Sequence, residues 1–223
     1  MNVIFDASTL ISISQTCLVN LLAGLKREMN AEFIVPKSVY YEAVQRPISI
    51  KRFELNAIRI KKVIEENKFK VLEVKDKKLF DEVAGIANSC FFIKGKPIKL
   101  LQRGEIEALA LIKELGAVAF AIDERTTRML LEAPEQLRKI LQARKRVDIK
   151  VDRSNVRALE LMFPDITMVR SVELIALAEE FGLLEKELPK GAQSLEAALF
   201  AVKYSGCAVS AREINMFLHG KKW

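Results

Sequence analysis

Two short apolar segments of this chain each end in an aspartate. The segment 3–5 (VIF) precedes Asp6, and the segment 117–122 (AVAFAI) precedes Asp123. Runs of this length and composition are typical of strands that are buried on both faces of a parallel sheet. A carboxylate at the end of such a strand loses hydration, which is unfavourable unless a partner compensates it. The two aspartates therefore need partners, and the identity of those partners bears directly on function.

Segments with strand and helix character alternate along the rest of the chain. Runs at 32–35, 69–74 and 166–169 predict further strands, and segments with helical periodicity separate them. This alternation predicts an α/β fold, with three layers (α/β/α) and a mostly parallel central sheet. Because the carboxyl ends of parallel strands meet along one edge of the sheet, Asp6 and Asp123 are expected at the same edge.

The predicted helices follow from apolar residues at three- and four-residue spacing. They cover approximately 10–25, 36–45, 52–67, 76–91, 103–115, 124–146 with a break at Pro134, 153–162 and 171–181. The segment 94–97 (KGKP) is predicted to be a loop. The segment 193–218 predicts a helical hairpin that turns at Gly206. We therefore divide the chain into one domain at 1–190 and a C-terminal helical extension at 191–223.

Several classes of protein are disfavoured by composition. No apolar run reaches the roughly 18 residues that a membrane-spanning helix requires, and no signal-peptide pattern is present. The three cysteines Cys17, Cys90 and Cys207 are scattered, which indicates neither a zinc site nor a disulfide scaffold. We expect a cytoplasmic protein without a membrane partner.

The charge distribution favours a polyanionic partner. The chain carries a net charge of +7, and the basic excess is concentrated in two segments. Residues 51–80 hold ten basic against five acidic residues, and residues 138–157 hold eight against two. Such patches attract nucleic acids, although a lysine-rich solvated surface is the alternative. Few aromatic residues lie among these basic residues, so the sequence indicates no stacking platform.

Two glutamates are candidates to join the aspartates. Glu42 lies within the helical segment VPKSVYYEAV, and Glu105 opens the segment RGEIEALALI. Glu107 is a rival of Glu105, but two helical positions rotate a side chain by about 200°, so the two cannot share a face. Simpler roles exist for these acids: Asp6 could cap the following helix, and Glu105 could complement a helix dipole. The alternative to simple capping is a cation shared by several carboxylates.

The order of these motifs resembles the PIN-domain nuclease family, in particular its VapC-like members. The resemblance rests on IFDAS, VPKSVYYEAV and GEIEALALIKELGAVAFAID, in that order. The separation of Glu105 and Asp123, 123 − 105 = 18, is similar to the family's helix-plus-strand spacing. The segment VRSVELIALAEEFGLL resembles the final strand and helix of many PIN domains. The closing hairpin is similar to that of a longer prokaryotic branch of the family.

The resemblance implies a metal-dependent ribonuclease. Asp6, Glu42, Glu105 and Asp123 would be its catalytic carboxylates and would hold Mg²⁺ or Mn²⁺, ions that prefer oxygen ligands. Such an ion could activate a water for attack on a phosphodiester of single-stranded RNA. Further residues are expected to support the site or to contact RNA. The supporting residues are Ser8 and Glu124, and the RNA-binding residues are Arg103, Arg125, Arg128, Arg144, Lys145 and Arg146.

Other expectations follow from the same resemblance. A homodimer is expected, and an antitoxin protein is a possible partner. Ala121 stands where many members have Thr or Ser, and the long segment 124–165 argues against a minimal toxin. An aspartate-nucleophile phosphatase needs a second Asp where Ser8 stands, and a nucleotide-binding module needs a glycine-rich loop that ASTLI lacks. The remaining alternative is a non-catalytic RNA-binding or assembly module on the same fold.

Overall fold

Eight strands form two sheets in the computed structural model, which describes residues 1–67 and 69–219. In chain order the strands are β1 (Asn2–Phe5), β2 (Glu32–Pro36), β3 (Lys70–Leu72), β4 (Phe91–Ile93), β5 (Lys96–Pro97), β6 (Ala119–Ala121), β7 (Lys150–Val151) and β8 (Thr167–Val169). Five strands form a parallel sheet in the order β3-β2-β1-β6-β8. The other three form a small antiparallel sheet in the order β5-β4-β7.

Helices cover both faces of the parallel sheet. They are α1 (Ala7–Gln15), α2 (Leu21–Glu28), α3 (Lys37–Tyr40), α4 (Lys51–Glu66), α5 (Lys77–Ala87), α6 (Arg103–Leu115), α7 (Arg125–Glu132), α8 (Pro134–Lys145), α9 (Arg153–Met162), α10 (Ser171–Glu180), α11 (Ala192–Tyr204) and α12 (Ala211–Leu218). Helix α3 continues into a π-helix (Tyr41–Gln45), which is followed by a 3₁₀ turn (Pro47–Ser49); a second 3₁₀ turn is Leu184–Lys186. The predicted helix 10–25 is wrong as a single element, because Cys17 adopts a φ of +63° between α1 and α2.

The alternation of side chains along β1 produces the two cores of the protein. Val3 and Phe5 pack with α1, α2, α4, α10 and α11 on one face of the sheet. Ile4 packs with α5, α6, α7, α8 and α9 on the other face. A strand buried on both faces reads as a continuous apolar run, which is why this segment was recognisable. The predicted three-layer α/β/α fold with a parallel sheet is confirmed.

The order of strands reverses between β1 and β6. The chain builds β1, β2 and β3 outward in one direction, then returns to place β6 on the free side of β1. Phe5 is paired with Ala121, and the Asp6 N–H donates to the Ala121 carbonyl at 2.9 Å. Such a reversal leaves a crevice at the carboxyl ends of the two strands. The expectation that Asp6 and Asp123 follow strands at one edge of the sheet is correct.

The prediction of a loop at 94–97 is wrong. Strands β4 and β5 form a hairpin whose two-residue turn is Lys94 and Gly95, with φ values of +48° and +77°. Positive φ at both central positions is typical of a type I′ turn, whose twist matches that of the flanking strands. Strands of three and two residues are too short to leave a periodic signal in the sequence, so the hairpin was not recognised.

The C-terminal helices pack on the same core as β1. Leu199 of α11 and Ile214 of α12 belong to the apolar cluster that contains Phe5. In addition, Arg170 forms a salt bridge with Glu213 at 2.9 Å, which ties the start of α10 to α12. The division of the chain at residue 190 stays a prediction. Every helix among residues 1–67 and 69–219 is too short or too polar to span a bilayer.

We predict that Phe33→Ala strongly destabilises the protein. Phe33 is fully buried, and its ring centroid lies 4.8 Å from that of Phe5 and 5.2 Å from that of Phe69. Removing a buried Phe leaves a cavity, so we expect the free energy of unfolding in urea to fall by about 3–5 kcal/mol. Leu161→Ala is the control, since Leu161 is 62% exposed and its loss should change stability by less than about 0.5 kcal/mol. Equal effects of both substitutions would contradict this placement of the core.

Candidate active site

Asp6 is held at the carboxyl end of β1 by the first turn of α1. The carboxylate is buried, and its Oδ2 accepts hydrogen bonds from the Ser8 N–H at 2.9 Å and the Ser8 hydroxyl at 2.5 Å. Asp6 is therefore the N-cap of α1, as the simpler interpretation of the sequence proposed. Capping uses one oxygen of the carboxylate. The role as a cap therefore does not by itself prevent Asp6 from binding a cation.

Ser8 joins the ends of the two central strands. Its hydroxyl donates to Asp6 and accepts a hydrogen bond from the Asp123 N–H at 3.1 Å. A single side chain thus fixes the residue after β1 relative to the residue after β6. The sequence suggested a supporting role for Ser8 from resemblance alone, and these two contacts give that role a structural basis.

Thr127 connects two further carboxylates, Glu105 and Glu124. Its hydroxyl donates to Glu105 Oε1, and its N–H donates to Glu124 Oε2 at 2.8 Å. Glu124 is the N-cap of α7, and Glu105 Oε2 accepts from the Gln102 N–H at 2.7 Å in a capping box at the start of α6. Sequence reasoning missed Thr127. The available signal was its position three residues after an acidic N-cap.

Glu42 lies in the π-helix, where the backbone widens. The Arg46 N–H donates to the Tyr41 carbonyl at 2.9 Å, five residues back. Pro47 follows, and a proline both lacks an N–H and clashes with the carbonyl four residues before it, so a regular α-helix cannot continue there. Single π-helical turns are rare and occur often at functional sites. Unlike Asp6, the Glu42 side chain is exposed to solvent.

A glycine in the first turn of α6 accommodates Glu42. A Cβ placed on Gly104 would lie 3.4 Å from Glu42 Oε2 and 3.4 Å from Val39. Glu42 therefore lies directly against the N-terminus of the helix that carries Glu105. Positive partial charge at a helix N-terminus favours a carboxylate in this position.

The carboxylate of Asp6 repels three other carboxylates, those of Glu42, Glu105 and Glu124. Burial raises the pKa of Asp6, hydrogen bonds from Ser8 lower it, and the charge of Glu124 raises it further. Loss of hydration raises the pKa of Glu42, Asp6 adds to that effect, and Arg46 opposes it. Each of the other three carboxylates thus interacts electrostatically with Asp6. We name these four residues the acidic cluster.

The effect is largest at Glu105. Burial raises the pKa of Glu105 to about 7, hydrogen bonds from Thr127 and Gln102 lower it, and the charges of Asp6 and Glu124 raise it. A carboxylate that is destabilised by burial and by its neighbours is stabilised when a cation binds beside it. The acidic cluster therefore has the electrostatic character of a cation site.

Asp123 is engaged in a different interaction. Its carboxylate is 1% exposed and accepts from the Ser171 N–H at 2.7 Å and the Ser171 hydroxyl at 2.8 Å, at the start of α10. Its neighbour Cys207 has a pKa of about 12, because burial and the charge of Asp123 both disfavour the thiolate. The charge of Glu124 thus acts on Asp6, whereas the carboxylate of Asp123 is bound by Ser171. Ser171 was also missed, although it follows β8 at the same edge of the sheet.

Glu107 lies apart from the acidic cluster. It is buried like Glu105, but its carboxylate accepts from the N–H and hydroxyl of Ser38 at the start of α3. Helix α6 therefore carries one buried carboxylate toward α7 and another toward α3. The expectation that Glu105 and Glu107 do not share a face agrees with these contacts.

In its present arrangement the acidic cluster is not a complete coordination sphere. Within the described residues, no group of three or more His, Cys, Asp or Glu side chains is arranged so that it could hold a metal ion. Asp6, Glu105 and Glu124 each direct at least one oxygen to a hydrogen-bond donor of the protein. Binding of a cation would require that some of these hydrogen bonds be exchanged for metal bonds.

The basic residues expected to contact RNA lie in three places. Arg103 packs over the ring of Phe80, with 5.9 Å between the guanidinium carbon and the ring centroid. Arg125 and Arg128 line a polar cleft of about 460 Å³ between α7 and the segment before α12. Arg128 also pairs with Glu132 at 3.7 Å. Of the two arginines on α7, Arg125 is the more exposed to solvent.

The third place is the end of α8. Arg144 and Lys145 occupy the last turn of α8, and Arg146 is its left-handed C-cap with a φ of +53°. All three side chains are exposed, and Arg146 borders an open cleft of about 610 Å³ with Arg138 and Lys139. Basic residues at a helix C-terminus are favoured by the helix dipole in any case. Their position is thus compatible both with a solvated helix end and with a phosphate-binding surface.

Comparison with known families identifies the fold. A family model described as a PIN domain matches residues 2–136 of the 223-residue chain. The chain belongs to the PIN-domain family. PIN domains are in general nucleases that use divalent metal ions. Neither a curated protein nor a solved structure matches the chain.

The extent of the PIN-domain match separates two parts of the molecule. The match contains every member of the acidic cluster, together with Asp123 and Ser8. It ends within α8, before Arg144, and before Ser171 and the two C-terminal helices. The hydrogen bonds between Asp123 and Ser171 therefore connect the matched part to the part beyond it.

We predict that Glu105 makes the stability of the metal-free protein depend on pH. The folded state keeps a proton on Glu105 up to about pH 7, whereas the unfolded chain loses it near 4.5. The folded state thus binds more protons between these values, so its stability falls as the pH rises through this window, by about 3 kcal/mol. Glu105→Gln should reduce this loss in urea titrations at several pH values. Glu160→Gln is the control, since Glu160 is exposed on α9 and pairs with Arg157; an unchanged pH profile for Glu105→Gln would contradict the prediction.

Proposed function

We propose that this PIN-domain protein is a metal-dependent ribonuclease that hydrolyses phosphodiester bonds of single-stranded RNA. The observation that supports the proposal most strongly is the repulsion between Asp6 and the other three members of the acidic cluster at the switch point of the sheet. Carboxylates whose pKa values are raised by burial and by their neighbours are typical of functional sites. The resemblance to the PIN-domain family implied Asp123 as the fourth carboxylate ligand of the metal. We propose Glu124 as a second candidate for this ligand.

The donor set fits Mg²⁺ or Mn²⁺. The acidic cluster offers only carboxylate oxygens, which suit hard divalent cations. When bound, such an ion lowers the pKa of a water and stabilises the leaving oxygen of a phosphodiester. Asp6 and Glu105 would hold the ion from the buried side, and the exposed Glu42 from the solvent side. Ser8 and Thr127 would keep Asp6, Glu105 and Glu124 oriented.

The second candidate function is a non-catalytic RNA-binding or assembly module. One observation favours it: Asp6, Glu105 and Glu124 are each a cap or part of a capping box, and the described residues contain no preformed group of metal ligands. In this case the carboxylates would order the starts of α1, α6 and α7 and do nothing further. Loss of the charge at one site should then alter stability without altering any reaction.

We predict metal-dependent cleavage of single-stranded RNA that requires Asp6. Purified protein is incubated with a labelled RNA and Mg²⁺ or Mn²⁺, with a chelator in the parallel reaction. Asp6→Asn should lower the rate by at least about 100-fold, because even second-shell partners of a metal contribute 10- to 100-fold. Glu160→Gln, an exposed control on α9, should cleave like the wild type.

The same assay, with a measurement of thermal stability, distinguishes Glu124 from Asp123 as the fourth carboxylate ligand of the metal. If Glu124 is a ligand, Glu124→Gln should lose both cleavage and the thermal stabilisation by Mn²⁺ that the wild type shows. Asp123→Asn should retain the stabilisation by Mn²⁺, since its carboxylate binds Ser171. The reverse pattern would assign the position to Asp123. Cleavage that persists in Asp6→Asn would refute the site, and absence of cleavage with either metal would favour the non-catalytic module.

We predict that the end of α8 contributes to RNA binding through phosphate contacts. Replacement of Arg144, Lys145 and Arg146 by Gln removes three exposed positive charges. The slope of log K against log salt concentration should become less steep by up to about 2, and binding should weaken. Replacement of Lys26 and Arg27, which occupy the last turn of α2, is the matched control and should leave the slope unchanged. An unchanged slope in the α8 variant would assign these residues to a solvated helix end. Formation of a homodimer and binding of an antitoxin stay predictions from resemblance.

A further inference from the structure

An apolar cleft lies beside the acidic cluster. It has a volume of about 270 Å³ and is enclosed by α1, the π-helix and α4. Ile11 and Ile60 form part of its apolar wall, and Phe53 lies at its rim with 42% of its surface exposed. Clefts that hold drug-sized ligands measure roughly 300–1,000 Å³, so this one suits a single flat ring.

The cleft and the acidic cluster have Glu42 in common. Glu42 lines the cleft, and the same side chain interacts with Asp6 and lies against the start of α6. Arg46, one turn further along the π-helix, also lines the cleft and lowers the pKa of Glu42. A ligand in the cleft would therefore lie beside Glu42, a member of the acidic cluster, and beside Arg46.

The polar groups of the cleft are suited to the edge of a nucleobase. Gln15 and Asn56 both line it, and neither side-chain amide makes a hydrogen bond within the part of the chain that the structure describes. An amide offers both donors and an acceptor, which match the mixed edge of a base. The guanidinium carbon of Arg52 lies 5.4 Å from the centroid of the Phe53 ring. An aromatic ring with a cation beside it can stack on a base and attract the adjacent phosphate.

We propose that this cleft binds one unpaired base of the RNA strand, next to the phosphodiester at the acidic cluster. Phe53 stacks on the base, Gln15 and Asn56 contact its edge, and Arg46 and Arg52 neutralise flanking phosphates. This inference rests on the proposed ribonuclease function and deepens it. A base in a duplex is paired and stacked, so only a single strand can place one in the cleft. The cleft thus supplies a structural reason for a single-stranded substrate.

The test measures binding of a short fluorescent RNA by anisotropy, with a chelator present so that the RNA stays intact. The RNA is compared with versions that carry one abasic position, moved along the strand. Phe53→Ala is compared with Leu55→Ala, which removes an apolar side chain that is 59% exposed on the same helix but does not line the cleft. Circular dichroism and thermal unfolding confirm that both variants are folded.

The expected result is a specific coupling between Phe53 and one base. Phe53→Ala should weaken binding by about 5- to 150-fold, the range for loss of one stacked base. At one position, an abasic site should weaken binding to the wild type by a similar factor and should weaken binding to Phe53→Ala no further. Leu55→Ala should behave like the wild type at every position.

Other results would overturn the inference in distinguishable ways. If the wild type and Phe53→Ala bind the RNA equally, the cleft does not hold a base. The same follows if an abasic site weakens binding to Phe53→Ala as much as it weakens binding to the wild type at every position. If the wild type then cleaves RNA in the separate assay with Mg²⁺ or Mn²⁺, the proposed ribonuclease function stands and the cleft is assigned to a protein partner. If the wild type neither binds nor cleaves RNA, the proposed function fails, and this inference fails with it.

Discussion

The pairing of β1 with β6 is the interaction on which the rest of the structure depends. It places Asp6 and Asp123 at one edge, and Ser8 then bonds to both of them. The strand order reverses at this pair, so helices cross the sheet on opposite faces and leave the edge open. Because β1 is buried on both faces, neither its register nor its direction can shift without exposing Phe5 or Ile4. The position of the acidic cluster is therefore set by the core.

The carboxylates of the acidic cluster have two roles that oppose each other. As caps, Asp6, Glu105 and Glu124 satisfy backbone N–H groups at the starts of three helices. As neighbours they conflict: burial raises the pKa of Asp6 and Glu105, and the nearby charge of Glu124 raises both further. The first role stabilises the fold, and the second destabilises it when no cation is bound. A bound cation would reduce the conflict, because it screens the repulsion between the carboxylates, although at Glu105 it would have to replace one of two hydrogen bonds.

The sequence predicted the parts of the structure that periodicity and helix caps define. The strand at 3–5 is apolar on both faces, and the bounds of α6 follow from Arg103 and Gly116, so both were identified. The hydrogen bonds of the Asp123 carboxylate could not be predicted in this way, because their donor is Ser171, 48 residues away along the chain. The widened turn at Tyr41–Gln45 was also missed. Pro47, which follows this turn, was visible, but a proline predicts only that a helix is interrupted and not that the turn before it widens.

That widened turn links the acidic cluster with the apolar cleft. In a continuous α-helix, Glu42 and Arg46 would lie four residues apart on one face. The π-helix has more residues in each turn, yet residues four positions apart still lie close to one face of it. Both side chains border the cleft, and Glu42 also interacts with Asp6 and lies against the start of α6. Pro47 prevents the α-helical alternative, because its ring occupies the space of the helical carbonyl four residues before it. Pro47 therefore ends the widened turn beside which Glu42 and Arg46 both line the cleft.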